Sequence, residues 1–201
     1  MASCVCRVSV KQGKARTLTS SNLIRLGGLA AIAGGVGVIV LWLVAEGDWL
    51  GSPLASPAIH ALMVSAMVAI VALHALQSQR YGLPGTVASS AAFVGLAMYL
   101  LGAGVAYYAR DDFFLAFRDT TFLVVLGLLL ATLGLIALGI VTLKVGVLPW
   151  WCGAALMAGN PIVGFFLAIW PGVLLGVPWI VVGYAIFRAA RPEPERTPRV
   201  R

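Results

Sequence analysis

The chain is patterned in long apolar runs separated by short polar punctuation, with neither the alternation of a half-buried strand nor the one-sided stripe of a soluble helix. A helix crossing ~30 Å of hydrocarbon needs about 20 mostly apolar residues. Six stretches meet that length: 23–45, 57–76, 87–109, 122–143, 149–170 and 172–187. The last two lie in one apolar run and are divided at Trp170-Pro171-Gly172, since adjacent Pro and Gly are turn chemistry. The predicted fold is all-α, a polytopic transmembrane bundle of six spans over residues 23–188. A basic N-terminal tail, 1–22, and a Pro- and Arg-containing C-terminal tail, 189–201, are expected to be disordered.

Charge fixes the expected orientation. With the N-terminus inside, the inner segments carry Arg7, Lys11, Lys14, Arg16, Arg25, Arg80, Lys144, Arg188, Arg191, Arg196, Arg199 and Arg201, and the outer ones only Arg110 and Arg118. That bias is the positive-inside pattern, and it predicts that both termini are cytoplasmic. A five-span count would place the five arginines of the C-terminal end on the opposite face. Trp49, Tyr107, Tyr108 and Trp170 then fall near the outer interface, and Tyr81, Trp150 and Trp151 near the inner one. The segment 110–119 groups Phe113, Phe114 and Phe117 on one helical face and reads as a short helix lying in the headgroup region.

Composition supports this class. Apolar residues are 61% of the chain and charged residues 10%, against about 45–50% and about 25% in soluble domains. The net charge of +7 resides in tails and short loops, so the expected partner is anionic lipid and not nucleic acid. The first apolar run begins too late and runs too long for a secretory signal and is read as a retained span.

Helix packing in hydrocarbon relies on close backbone approach. Gly27, Ala31 and Gly35, Gly127 and Ala131, and Gly172 and Gly176 form small-residue stripes on the first, fourth and sixth spans, expected to pack within one subunit.

Candidate chemistry is sparse. No Asp, Glu or Lys falls inside a predicted span, which argues against a proton- or sodium-coupled pump. His60 and His74 lie on one face of the second span, ~21 Å apart along the axis. That spacing suits either two histidines bonded to water or carbonyls, or one ligand to each of two haems, completed by a homodimer or by Met63, Met67 or Met98. Asn160-Pro161 should kink or unwind the fifth span and Pro178 the sixth. Two kinked neighbours could enclose a substrate pocket, so Asn160, Pro161 and Pro178 are its candidate residues. Cys4 and Cys6 lack further metal ligands, and Cys152 reads as a buried thiol. No HExxH, nucleophile elbow or phosphate loop is present, so no catalytic residue, metal site or cofactor is expected.

The segments Ser20-Ser-Asn-Leu-Ile-Arg-Leu-Gly-Gly-Leu-Ala-Ala, Lys144-Val-Gly-Val-Leu-Pro-Trp-Trp-Cys-Gly and Gly183-Tyr-Ala-Ile-Phe-Arg188 resemble small uncharacterised multi-pass membrane proteins of high-GC bacteria. The resemblance implies a bacterial cytoplasmic membrane and transfers no functional residue. The leading expectation is a non-enzymatic accessory or scaffold subunit acting through helix–helix or lipid contacts, with the bilayer, other membrane proteins or further copies of itself as partners. A small carrier for an uncharged or lipophilic molecule is the alternative, and a haem-binding electron-transfer subunit the second alternative.

Overall fold

A computed structural model describes residues 12–44, 55–108, 113–160 and 171–190, with side chains from 21–44, 60–105, 120–160 and 173–190 and that of Pro57. All elements among these residues are helical: α1 (Gln12–Val44), α2 (Ala55–Tyr108), α3 (Phe113–Val145), α4 (Trp150–Ala158) and α5 (Pro171–Ala189). Three stretches are long and apolar enough to cross a membrane, namely Ser21–Val44, His60–Val105 and Thr120–Val145, with Val173–Ala189 a shorter apolar helix.

The 54 residues of α2 do not form one rod. Gly82 has φ 57° and ψ −149°, a combination essentially confined to glycine. His74 Nδ1 lies 3.0 Å from Ser89 Oγ, although a straight helix would separate them by ~22 Å. A Cβ on Gly104 would lie 3.6 Å from His60 Nε2, against ~66 Å on a straight helix. Both pairs are centred on Gly82 to within a residue. The chain therefore reverses there, and α2 is a hairpin of two antiparallel limbs, 55–81 and 83–108. Pro84 sits in the first turn of the second limb, where its missing N–H breaks no hydrogen bond. The segment 77–86, left between the expected second and third spans, is thus helical on both sides of a one-residue turn.

The helices that meet at the following glycine seams run antiparallel. Gly27 packs on Ala72 and Gly34 on Ser65, joining α1 to the first limb. Gly95 and Gly134 of the second limb and α3 meet Ala131 and Ala92 across their interface. Gly139 of α3 and Gly153 of α4 approach each other's carbonyls. Finally, Gly28 and Gly35 of α1 face the carbonyls of Gly183 and Gly176 of α5. Small residues let backbones touch at each seam. The small-residue stripes on Gly27, Ala31 and Gly35, on Gly127 and Ala131, and on Gly176 all lie inside the chain's own interfaces.

Between the seams, Leu62, Ile70, Leu73, Leu96, Leu135, Leu138, Leu156 and Ile186 fill the core. The outer surface is also apolar: Leu26, Leu83, Leu101, Phe122 and Leu133 are each more than 60% exposed.

Three boundaries depart from expectation. α1 begins at Gln12, inside the tail expected to be disordered. Residues 14–26 contain neither Gly nor Pro, so each added residue extends the ladder from the apolar segment at little cost. α3 begins at Phe113 and continues unbroken to Val145, so Phe113–Asp119 forms its first turns instead of a separate interfacial helix. The fifth expected span, 149–170, is helical over Trp150–Ala158 and stops at a Gly159 cap. Pro161 and the rest of that span, 161–170, lie outside the described residues.

Candidate functional site

The richest polar cluster lies beside the α2 reversal. Gly85 makes room for it, because a Cβ there would fall on the Tyr81 ring. Tyr81 turns inward, 5% exposed, and its hydroxyl meets His74 Nδ1, with the two rings tilted at 52° and centred 5.7 Å apart. Ser89 Oγ lies 3.0 Å from the same nitrogen and donates to the Thr86 carbonyl at 3.0 Å. Thr86 Oγ1 donates to the Gly82 carbonyl at 3.0 Å. A ladder of hydroxyls thus runs from the turn to His74. His74 Nδ1 is thus met by two hydroxyl oxygens, with the donor at each contact set by the tautomer of the ring.

Next to this ladder the two limbs part to leave a cleft of about 290 Å³, lined by Ile70, Val71, His74, Thr86, Ser89, Ser90, Phe93 and Val94. Val71, Ser90, Phe93 and Val94 are exposed, so the cleft opens on the outer surface of the bundle. Its hydroxyls and imidazole lie toward the Gly82 turn, and Ile70, Phe93 and Val94 toward the middle of the hairpin.

Two further polar contacts bridge helices in the interior. Thr142 Oγ1 donates to Gln77 Oε1 at 3.3 Å, both side chains fully buried. Midway along the apolar stretch of α3, Thr132 Oγ1 donates to Asn160 Oδ1 at 2.8 Å, and Asn160 Nδ2 donates back to the Thr132 carbonyl at 3.4 Å. Trp179 Nε1 donates to the Gly159 carbonyl at 3.2 Å. One carbonyl at the end of α4 is thereby satisfied from α5, and the Thr132–Asn160 pair ties the same end to α3.

The sequence-predicted residues divide accordingly. His60 and His74 both face the second limb of the hairpin, His60 beside Gly104 and His74 beside Ser89. Asn160 is 1% exposed and held by Thr132. Pro178 lies within α5, which stays helical through it, and packs where a Gly159 Cβ would stand. The cleft is formed on α2, away from Asn160 and Pro178. Cys152 is fully buried. Among the described residues no three His, Cys, Asp or Glu side chains cluster as a metal site.

Run length alone does not point to Tyr81, Thr86 or Ser89, since it leaves 77–86 between two spans, puts Tyr81 at an interface and makes Ser89 one residue of the third span. The available signal was the run of hydroxyls Thr86, Ser89 and Ser90 directly after Gly82-Leu-Pro-Gly85. At helical spacing, Thr86, Ser89 and Ser90 share one face.

Comparison of the chain with protein-family models, with curated proteins and with solved structures finds no match.

Proposed function

We propose that the chain is a six-span integral protein of a bacterial cytoplasmic membrane, with both termini cytoplasmic. In this reading it is a non-enzymatic accessory or scaffold subunit acting through helix–helix and lipid contacts. One observation carries the topology. The charged residues whose side chains are described are Arg25, Arg80, Lys144 and Arg188, and antiparallel packing gathers all four at one end of the bundle. There Ser21 Oγ donates to the Ala190 carbonyl at 3.2 Å, and the Arg25 guanidinium lies 5.5 Å from the centre of the Phe187 ring. Arg80 and Lys144 adjoin the turns at Gly82 and Gly146. A bundle with one basic end and an apolar girdle matches the positive-inside rule. α4 alone reaches ~13.5 Å, less than half of ~30 Å, so the count of six takes its fifth crossing from the sequence.

The scaffold reading draws support from the interior, where glycine seams and mutually bonded polar pairs bind the helices into one body. Single cysteines at Gly146→Cys and Asp111→Cys in a cysteine-free chain, treated in intact cells with a membrane-impermeant maleimide, test the topology. Labelling at position 111 alone is expected. Labelling at 146 would overturn the orientation.

A second reading, a carrier for an uncharged or lipophilic molecule, is favoured by the cleft on α2 and by the end of α4 at Gly159 inside the bundle. Broken helices at mid-membrane are a recurring feature of transporter sites. Crosslinking in native membranes that recovers a stoichiometric protein neighbour supports the scaffold. Vesicle flux that is lost in a cleft variant while the protein is still made supports the carrier.

A further inference from the structure

We infer that the cleft between the limbs of α2 is a binding site for a neutral, carbonyl-headed amphiphile that enters sideways from the lipid. The lining is graded along its length. Thr86, Ser89, Ser90 and His74 form the end toward the turn, and Ile70, Phe93 and Val94 the end toward the hairpin middle. That grading matches a molecule with a hydrogen-bonding head and an apolar tail. A neutral head is favoured because no Asp, Glu, Lys or Arg is among the lining residues. A carbonyl head suits this end of the cleft, where the exposed Ser90 hydroxyl can donate to it whichever His74 nitrogen carries the proton. Tyr81 and Ser89 both contact Nδ1, so the ring is held in place before the ligand arrives.

Size narrows the class. A cleft of about 290 Å³ is at the lower end of small-molecule pockets. It takes one ring or ester group with the first part of a chain, while the rest of the tail stays in lipid beside exposed Val71 and Val94. A quinone ring and a glyceride ester offer the same chemistry, a neutral carbonyl on a lipophilic stem. The site is independent of the span count and orientation proposed above, so its failure leaves those untouched and theirs leaves it untouched.

The test uses the full chain in lipid nanodiscs with a photoreactive decyl-benzoquinone as probe. Decyl-benzoquinone, dioctanoylglycerol and the oxygen-free isostere decylbenzene serve as competitors, and labelled peptides are mapped by mass spectrometry. Saturable labelling within 70–74 and 86–94 is expected. Val94→Trp fills the cleft from an exposed position without touching the core, and should reduce labelling at least tenfold. His74→Phe should do the same while leaving weak competition by decylbenzene unchanged. Displacement by the quinone identifies that source and displacement by the glyceride the other, and either supports the site. Non-saturable labelling, labelling of Val94→Trp at the wild-type level, or competition by decylbenzene equal to that of the carbonyl compounds would overturn the proposal.

Discussion

Gly35 and Gly176 meet backbone to backbone, so that a Cβ on either would lie 2.5 Å from the carbonyl oxygen of the other. The neighbouring atom is main chain and has no rotamer to change. The contact recurs one heptad away, where Gly28 and Gly183 face each other in the same manner.

Alanine at Gly35 or Gly176 should therefore destabilise the fold. Overpacking costs about 1–3 kcal/mol, of which the better helix propensity of Ala returns at most about 1 kcal/mol. Gly37 is the internal control, because nothing lies within 4 Å of its Cβ position. Gly37→Ala should be neutral or stabilising by up to about 1 kcal/mol. Unfolding in mixed detergent micelles, run on the three variants together, checks the contrast. Equal effects at 35 and 37 would mean that the α1–α5 seam is not as close as described.

Gly82→Ala isolates a purely conformational cost. An added Cβ meets nothing within 4 Å, yet φ is 57° and ψ −149°. A residue held in that region costs about 1–3 kcal/mol. The variant should unfold more readily by that amount. The adjacent limbs should also splay, read as a lower rate of disulfide formation between cysteines placed at His74 and Ser89. An unchanged crosslinking rate and stability would refute the hairpin turn.

Asn160 and Thr132 form a two-way bond in the interior, so their substitutions should couple. A double-mutant cycle of Asn160→Leu and Thr132→Val is expected to give about 0.6 kcal/mol and at most about 1.7 kcal/mol, the mean and the maximum found for interhelical hydrogen bonds in a membrane protein. Additive effects would show the pair contributes nothing. Because Asn160 is held structurally, loss of transport on changing it would not by itself identify a substrate contact. Cleft substitutions on α2 separate the functional readings more cleanly.

Trp179→Phe keeps the ring near Gly159 and removes only the indole N–H. The Gly159 carbonyl, at the end of α4, then loses its bond from α5. A cost of about 1–3 kcal/mol is expected for a buried acceptor left unpaired. Hydrogen exchange by mass spectrometry should localise the loosening to the C-terminal turn of α4. Loosening spread evenly over the bundle would count against this role.

Much of the architecture was legible in the residues themselves. Run length and apolar content give helices around 23–45, 57–76, 87–109 and 122–143, because hydrocarbon thickness leaves few ways to bury such segments. The small-residue spacing on α1 and α3 marked faces that pack, since close approach excludes a Cβ wherever two backbones meet. Tertiary structure alone decided which faces met. That Gly28 and Gly35 oppose Gly183 and Gly176, and Gly27 opposes Ala72, depends on helix rotation and order around the bundle, which periodicity does not encode. It also decided the site. Gly82 converts a polar stretch that reads as a loop into two helix ends, and that reversal brings His74, Tyr81 and Ser89 together. A backbone torsion open only to glycine sets their meeting, and the sequence records it as one Gly among 23.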